Sequence, residues 1–211
     1  MENILVAGAN GTTGKKIVNL LKESKYFNPI AMVRKEEQIP YFKAKNVDTV
    51  LTDLTENVDN AFSKPVDKVI FAAGSKGKNL INVDQEGAKK LVDASINNKV
   101  KKFVMLSSIG AENPDTANQL KDYLQAKHNA DEYLKSTDLN YSIVRPGTLT
   151  NEPAENKIEL KQHLENHGEI SRNDVAQTLV RVLNDDTANR ATFEIIKGET
   201  LIGEALDKLS N

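Results

Sequence analysis

Three glycines with the spacing G-x-x-G-x-x-G stand near the start of the chain, at Gly8, Gly11 and Gly14. They follow a short apolar run, residues 4–7, and precede a segment whose apolar residues recur at helical spacing. In a strand–loop–helix unit, such glycines permit a tight turn and the close approach of a diphosphate, and the helix N-terminus offers free N–H groups. The pattern indicates a dinucleotide site, with a purely structural turn as the alternative. The expected contacts come from Gly8, Asn10, Gly11, Thr12, Thr13 and Gly14.

The residue type at the end of the second predicted strand selects between the two nicotinamide dinucleotides. An acid there hydrogen-bonds the adenosine ribose hydroxyls of NAD, whereas a basic residue pairs with the 2′-phosphate of NADP. Here Arg34 stands 20 residues after Gly14 and is followed by Lys35. A guanidinium can form two parallel hydrogen bonds with a phosphate, so Arg34 favours NADP, with NADPH preferred over NADH. The alternative is a solvated loop cation.

Alternating apolar and amphipathic segments predict the elements that would position these residues. The apolar runs are almost free of polar residues, as strands of a parallel sheet must be when helices cover both faces. The pattern therefore predicts an α/β fold, a doubly wound parallel (Rossmann) sheet with helices on both faces. The predicted strands are residues 4–7, 29–33, 47–51, 68–73, 102–106 and 141–144, and the predicted helices are 14–21, 80–97 and 118–135.

The pattern weakens after Gly147. We expect a loop over residues 148–155, a helix beginning near Ser171, and a last helix over 199–209. Two further strands are predicted over residues 157–160 and 191–196. The whole chain, residues 1–211, then forms one domain with a cofactor-binding core of about 1–147 and a small C-terminal substrate cap of about 148–211.

Several short motifs follow the predicted strands in a fixed order. Besides the glycine loop and Arg34, they are Asp53-Leu54, Ala72-Ala73-Gly74, Arg145-Pro146-Gly147 and the segment 170–176. This ordered set resembles the NAD(P)H-binding, NmrA-like branch of the atypical short-chain dehydrogenase/reductases, over nearly the whole chain. The resemblance implies that Asp53 and Leu54 border the adenine, although Asp53 could instead be a loop acid or helix cap. It also implies that Ala72, Ala73 and Gly74 line the inner ribose and that Pro146 and Gly147 lie near the nicotinamide.

The same resemblance implies a set of catalytic residues. Short-chain reductases use a tyrosine as general acid, a lysine four residues later, and a serine at a neighbouring strand end. Tyr123 and Lys127 have that spacing on a predicted helix, and Ser107 and Ser108 follow the fifth predicted strand. Lys127 could alternatively only hold the nicotinamide ribose, and the serines could only hydrogen-bond the strand end. Tyr41 has the same spacing to a lysine, but it follows the second strand, far from the nicotinamide end.

Composition excludes several other classes of function. The formal net charge of −2 and pI of about 6.0 give no basic field for nucleic acid. Cysteine is absent, which excludes thiol catalysis and suits a reducing cytoplasm, the expected location. No segment has the apolar length of a membrane span. His163 and His167 have the i, i+4 spacing of a helical zinc pair, but no further ligand motif accompanies them, so we expect no metal.

These observations predict an NADP-dependent oxidoreductase that moves hydride between the nicotinamide and a small acceptor, such as a flavin, quinone or carbonyl compound. Two alternatives remain open. One is a regulatory protein that senses NADP(H) without catalysis, and the other is a nucleotide-sugar-type epimerase or dehydratase with a tightly held cofactor. We expect a small-molecule partner, neither nucleic acid nor membrane, and a monomer or homodimer.

Overall fold

A nine-stranded sheet forms the centre of the molecule. The computed structural model describes residues 1–117 and 120–209 of the 211-residue chain. The strand order is β11-β8-β10-β6-β5-β4-β1-β2-β3, and all pairs are parallel except those that β8 makes with β10 and β11. The bounds are β1 Glu2–Ala7, β2 Phe27–Val33, β3 Asp48–Leu51, β4 Lys68–Phe71, β5 Lys102–Leu106, β6 Tyr141–Pro146, β8 Lys157–Lys161, β10 Ala191–Lys197 and β11 Thr200–Leu201, with β7 Thr148–Thr150 and β9 Glu169–Ser171 in a separate two-stranded sheet.

Helices pack against both faces of this sheet. Their bounds are α1 Thr12–Glu23, α2 Ile39–Lys43, α3 Glu86–Asn97, α4 Lys121–Lys135, α5 Arg172–Arg181 and α6 Ile202–Asp207. Successive strand residues point to opposite faces, so β1 sends Ile4 and Val6 to the core shared with α1 and α5. Leu5 and Ala7 join the other core, beneath α3 and α4. The doubly wound sheet predicted from apolar runs is thereby confirmed.

The structure corrects several predicted boundaries. Residues 80–97 are not one α-helix, because a π-helical turn, Leu80–Gln85, precedes α3. The predicted loop over 148–155 contains β7, and β11 occupies the start of the predicted helix 199–209, which is shortened to α6. The first two residues of the predicted helix 118–135 lie outside the described residues.

The C-terminal segment contributes to both sheets. Strand β10 pairs directly with β6, so the main sheet continues past Gly147 without interruption. Helix α5 packs beside α1, and Lys16 Nζ on α1 donates a hydrogen bond of 2.7 Å to Asn173 Oδ1. Strand β7 directly follows the end of β6, and β9 follows the irregular segment after β8. The small two-stranded sheet therefore lies near the carboxyl edge of the main sheet.

Candidate active site at the carboxyl edge of the sheet

The predicted site residues follow strands that lie side by side. Strand β1 pairs with β2 on one side and β4 on the other, β4 pairs with β5, and β5 with β6. Since all these pairs are parallel, the strand ends meet at one edge of the sheet. In doubly wound sheets, ligands bind outside this edge at the point where the strand order reverses, which here lies beside β1. The residues brought to this edge are Gly8, Arg34, Asp53, Ala72, Ser107 and Gly147.

The glycine loop is shaped by contacts that only glycine tolerates. Gly8 has φ of +80°, and a Cβ on it would lie 2.6 Å from the backbone of Ala72 and Ala73. A Cβ on Gly14 would lie 2.1 Å from the carbonyl oxygen of Gly8. The loop is closed by a hydrogen bond of 2.9 Å from Gly11 N–H to the same carbonyl. These contacts hold the loop against β4 and against the start of α1.

The N-terminus of α1 is free to receive an anion. Its N-cap, Gly11, has no side chain to accept from the first-turn amides, and the first turn contains no acidic residue. The N–H groups and the positive end of the helix dipole are therefore available to a phosphate. Thr12 is exposed, Asn10 is half-buried, and Thr13 is buried. The loop thus provides the cradle expected for a diphosphate.

Arg34 directly follows β2, which lies on the side of β1 opposite to β4. Its side chain is exposed, and within residues 1–117 and 120–209 its guanidinium has neither an ion pair nor a hydrogen bond. The turn after it is fixed by Gln38, whose Oε1 accepts from the backbone N–H of Arg34 and of Lys35. The guanidinium is therefore free for a ligand, while its backbone is held.

Asp53 and Leu54, the residues expected at the adenine, have structural partners. Asp53 Oδ1 accepts hydrogen bonds from the N–H and hydroxyl of Thr55, at 2.9 and 2.8 Å. Leu54 is buried in the core beneath α3, close to Gly87. Both side chains therefore have a role in the local structure. For Asp53, the two hydrogen bonds are those expected of an acid that stabilises a loop, the alternative considered from the sequence.

The other predicted contact residues differ in their surroundings. Ala72 and Ala73 are half-buried and Gly74 is exposed at the end of β4. Pro146 is buried, and a Cβ on Gly147 would lie 2.1 Å from the carbonyl oxygen of Gly168. Close packing between β7 and β9 therefore accounts for a glycine at position 147, independently of a cofactor.

Lys127 reaches from α4 to the end of β5. Its ammonium is buried, donates to the carbonyl oxygen of Leu106 at 3.1 Å, and lies 5.8 Å from the centre of the Tyr123 ring. Tyr123 lies in the first turn of α4 and is half-exposed. The i, i+4 spacing thus places phenol and ammonium side by side, as the sequence predicted.

Asp84 is a member of this site that the sequence did not reveal. It lies in the π-helical turn with 1% of its side chain exposed, and its Oδ1 is 4.0 Å from Lys127 Nζ. The other oxygen, Oδ2, accepts from the N–H of Ser75 at 2.9 Å. Within the described residues Oδ1 has no hydrogen-bond partner, so the carboxylate faces the lysine as its counter-ion. A single acid inside an amphipathic segment gave no sequence signal for this role.

The two candidate serines have different environments. Ser107 is buried, and its hydroxyl donates 2.8 Å to Asp131 Oδ2, which also pairs with Arg145. Burial raises the pKa of Asp131, and the Arg145 guanidinium and the Ser107 hydroxyl oppose that rise. Ser107 is therefore engaged in a buried network. Ser108 is half-exposed and donates to the Ile109 carbonyl oxygen, so it is the serine nearer to solvent.

Fold and site together define a dinucleotide-binding protein of the Rossmann class. Its glycine cradle and the N-terminus of α1 fit a diphosphate. The chain belongs to a family described as NAD(P)H-binding, which matches residues 8–186. The resemblance to the atypical, NmrA-like short-chain dehydrogenase/reductases is thereby confirmed, and the fold is of the NAD(P)H-binding oxidoreductase type.

Similar proteins carry names from two reaction classes. The Bacillus subtilis protein YhfK, named an uncharacterized sugar epimerase, is 38% identical over 214 residues that cover 98% of this chain and 99% of that one. A Bacillus halodurans structure named for the NAD-dependent epimerase/dehydratase class is 34% identical, with a TM-score of 0.92 over 99% and 100% of the two chains. The Lactococcus lactis oxidoreductase ylbE is also 34% identical, with a TM-score of 0.88 over 98% and 96%.

The remaining predictions concern membranes and histidines. Among the described residues, no helix combines the length and apolar character needed to cross a bilayer. His163 and His167 do not lie on a helix, because both belong to the irregular segment between β8 and β9. Their spacing of four residues therefore does not place them on one helical face.

Proposed function

We propose that the protein is an NADPH-dependent oxidoreductase acting on a small acceptor at the carboxyl edge of the sheet. The observation that carries the proposal is the position of Tyr123 and Lys127 beside the end of β5. Strand β5 pairs with β4, and the glycine cradle packs against the residues that follow β4. The preference for NADPH rests on Arg34, whose guanidinium is exposed and without a partner in the described part of the chain. A reduced nicotinamide supplies a hydride when it is bound.

The chain itself supplies orientation and a proton. The glycine loop and α1 hold the diphosphate, which leaves the ends of β4 to β6 for the nicotinamide half. Tyr123 donates its hydroxyl proton to the acceptor oxygen. The Lys127 ammonium stabilises the negative charge then left on the phenol, and Asp84 and the Leu106 carbonyl hold that ammonium in place.

The experiment is a turnover assay with NADPH and three acceptor classes, a flavin, a quinone and an aldehyde, following loss of the reduced-nicotinamide absorbance. With the aldehyde, Tyr123→Phe should lower kcat by about 100-fold or more and leave KM nearly unchanged, because only the proton donor is lost. With the flavin, the same variant should lose little, since that acceptor needs no protein acid.

Tyr133→Phe is the matched control. Tyr133 lies on the same helix, but its hydroxyl donates to Asp93 at 2.6 Å, away from Lys127. Its removal should leave kcat with every acceptor unchanged. NADPH binding without turnover of any acceptor would instead support the alternative of a non-catalytic NADP(H)-sensing protein.

An epimerase or dehydratase is the second candidate, and it is supported by the names of two of the three similar proteins described above. Such enzymes regenerate their cofactor within each cycle and retain it. We expect the purified protein to contain no bound dinucleotide. Release of stoichiometric NAD or NADP on denaturation would support the epimerase and contradict the reductase.

A further inference from the structure

Three side chains of types that can bind a metal ion come from separate parts of the chain and lie close together. Glu112 lies in the loop after β5, His163 in the segment after β8, and Glu194 within β10. One ligand atom from each residue lies within 4.8 Å of the other two. We call these three residues the Glu–His–Glu cluster.

The two distances from His163 to the carboxylates are close to those between the ligand atoms of a small divalent cation. His163 Nδ1 is 3.5 Å from Glu112 Oε2 and 3.6 Å from Glu194 Oε2. Tetrahedral zinc with bonds of about 2.0–2.1 Å separates its ligand atoms by about 3.3 Å. A cation could therefore contact the imidazole and both carboxylates once the two carboxylate oxygens, which lie within 4.8 Å of one another, approach to about that separation.

A bound cation would also stabilise the buried carboxylate of the cluster. Glu194 is only 1% exposed, and burying a carboxylate is costly unless positive charge or several hydrogen bonds compensate it. Leu164 N–H donates to Glu194 Oε2 at 2.7 Å and orients that oxygen. Arg145 Nη1 lies 3.9 Å from Glu112 Oε2, but this guanidinium is already paired with the buried Asp131.

We propose that the Glu–His–Glu cluster binds a divalent transition-metal ion, with zinc as the representative ion and a water as its fourth ligand. One nitrogen and two carboxylate oxygens form a ligand set that zinc accepts. The ion would join the loop after β5, which begins at Ser107, to β10 and to the segment after β8. None of the three residues belongs to the glycine cradle, and the proposal does not depend on the proposed function.

The test is zinc binding by the full-length protein after treatment with a chelator and dialysis. Zinc is titrated in competition with a zinc-responsive fluorescent chelator, for the wild type, His163→Gln and Glu112→Gln. Both substituted residues are exposed, with side-chain accessibilities of 71% and 59%, so these variants should fold. His167→Gln is the matched control, because it removes a nearby loop histidine that is not in the cluster.

We expect one zinc ion per chain in the wild type and in His167→Gln. Affinity should fall by at least about tenfold in His163→Gln and Glu112→Gln, since even outer-shell partners of a metal contribute that much. Zinc should also raise the thermal unfolding midpoint of the wild type but not that of His163→Gln. Absence of zinc binding by the wild type, or equal affinity in His163→Gln, would overturn the proposal.

Discussion

Gly8 is the residue on which the shape of the cradle depends most directly. Its φ of +80° and the 2.6 Å separation of an added Cβ from Ala72 and Ala73 are independent obstacles to a side chain. A comparison with Gly77 distinguishes the effect of the positive φ from that of the steric contact. Gly77 has nearly the same φ, +81°, but an added Cβ would meet nothing within 4 Å.

Gly77→Ala should therefore cost about 1 kcal/mol of unfolding free energy, from the left-handed backbone alone. Gly8→Ala should cost more than about 2 kcal/mol, because backbone atoms of β4 must also move. It should also abolish dinucleotide binding, which Gly77→Ala should preserve. Urea unfolding and NADPH titration of both variants check this, and equal losses of stability would contradict the steric explanation.

Arg34 is the residue that we expect to determine whether NADPH or NADH binds more tightly. Arg34→Ala should weaken NADPH binding by about 1–3 kcal/mol and leave NADH binding nearly unchanged, because only NADPH carries the 2′-phosphate. Lys35→Ala is the control, since the Lys35 ammonium is paired with Glu37 at 3.3 Å. Equal losses for both dinucleotides in fluorescence titrations would refute the assignment of Arg34 to the phosphate.

At the scale of elements, two lysines at the starts of β4 and β5 are buried at the opposite edge of the sheet. Lys68 and Lys102 are neighbours in register, each 1% exposed. Lys68 is compensated by Glu2 and Asp185. Lys102 donates to neutral groups, the Asn184 and Thr187 carbonyls and Asn189 Oδ1. These bonds attach the loop after α5 to the sheet.

The pKa of Lys102 is lowered from 10.5 to about 8, mainly by burial and to a smaller extent by the nearby charge of Lys68. The folded state then binds fewer protons than the unfolded state between these values, so this group adds stability as pH rises from 8 to 10.5. Relative to Lys102→Met, the wild type should gain stability over this range in urea unfolding at several pH values. Lys64→Met, which removes a half-exposed lysine, is measured alongside as the control for loss of a lysine. A difference between wild type and Lys102→Met that does not change with pH would contradict the lowered pKa.

The elements were predictable where burial left a pattern in the sequence. Strands β1, β2, β4, β5 and β6 are buried in the sheet, so their apolar runs marked them correctly. The edge strand β3 was also located, although only Val50 of it is buried. The short strands β7, β9 and β11 have two or three residues each, too few for a period to be visible. The π-helical turn before α3 was hidden for another reason, because its residues have the same apolar spacing as an α-helix.

At the scale of the whole molecule, the site was predictable only in part. Residues in motifs at strand ends, such as Gly8 and Arg34, lie at the expected edge of the sheet. Asp84, Asp131 and Glu194 were missed, because isolated acids in a chain with 27% charged residues look like solvated surface. They become partners of Lys127, Arg145 and His163 only through packing: the π-helical turn packs against α4, α4 packs against β6, and the segment after β8 lies beside β10.

The central claim is that the carboxyl edge of this sheet binds NADPH through the glycine cradle and Arg34. A side-by-side titration with NADPH and NADH, following the nicotinamide fluorescence, tests it most directly. The chain contains no tryptophan, so the protein adds little emission of its own. We expect saturable binding of NADPH that is about tenfold or more tighter than that of NADH, as loss of a charge-assisted phosphate contact requires. Equal binding of the two would contradict the role of Arg34, and binding of neither would contradict the cofactor site itself.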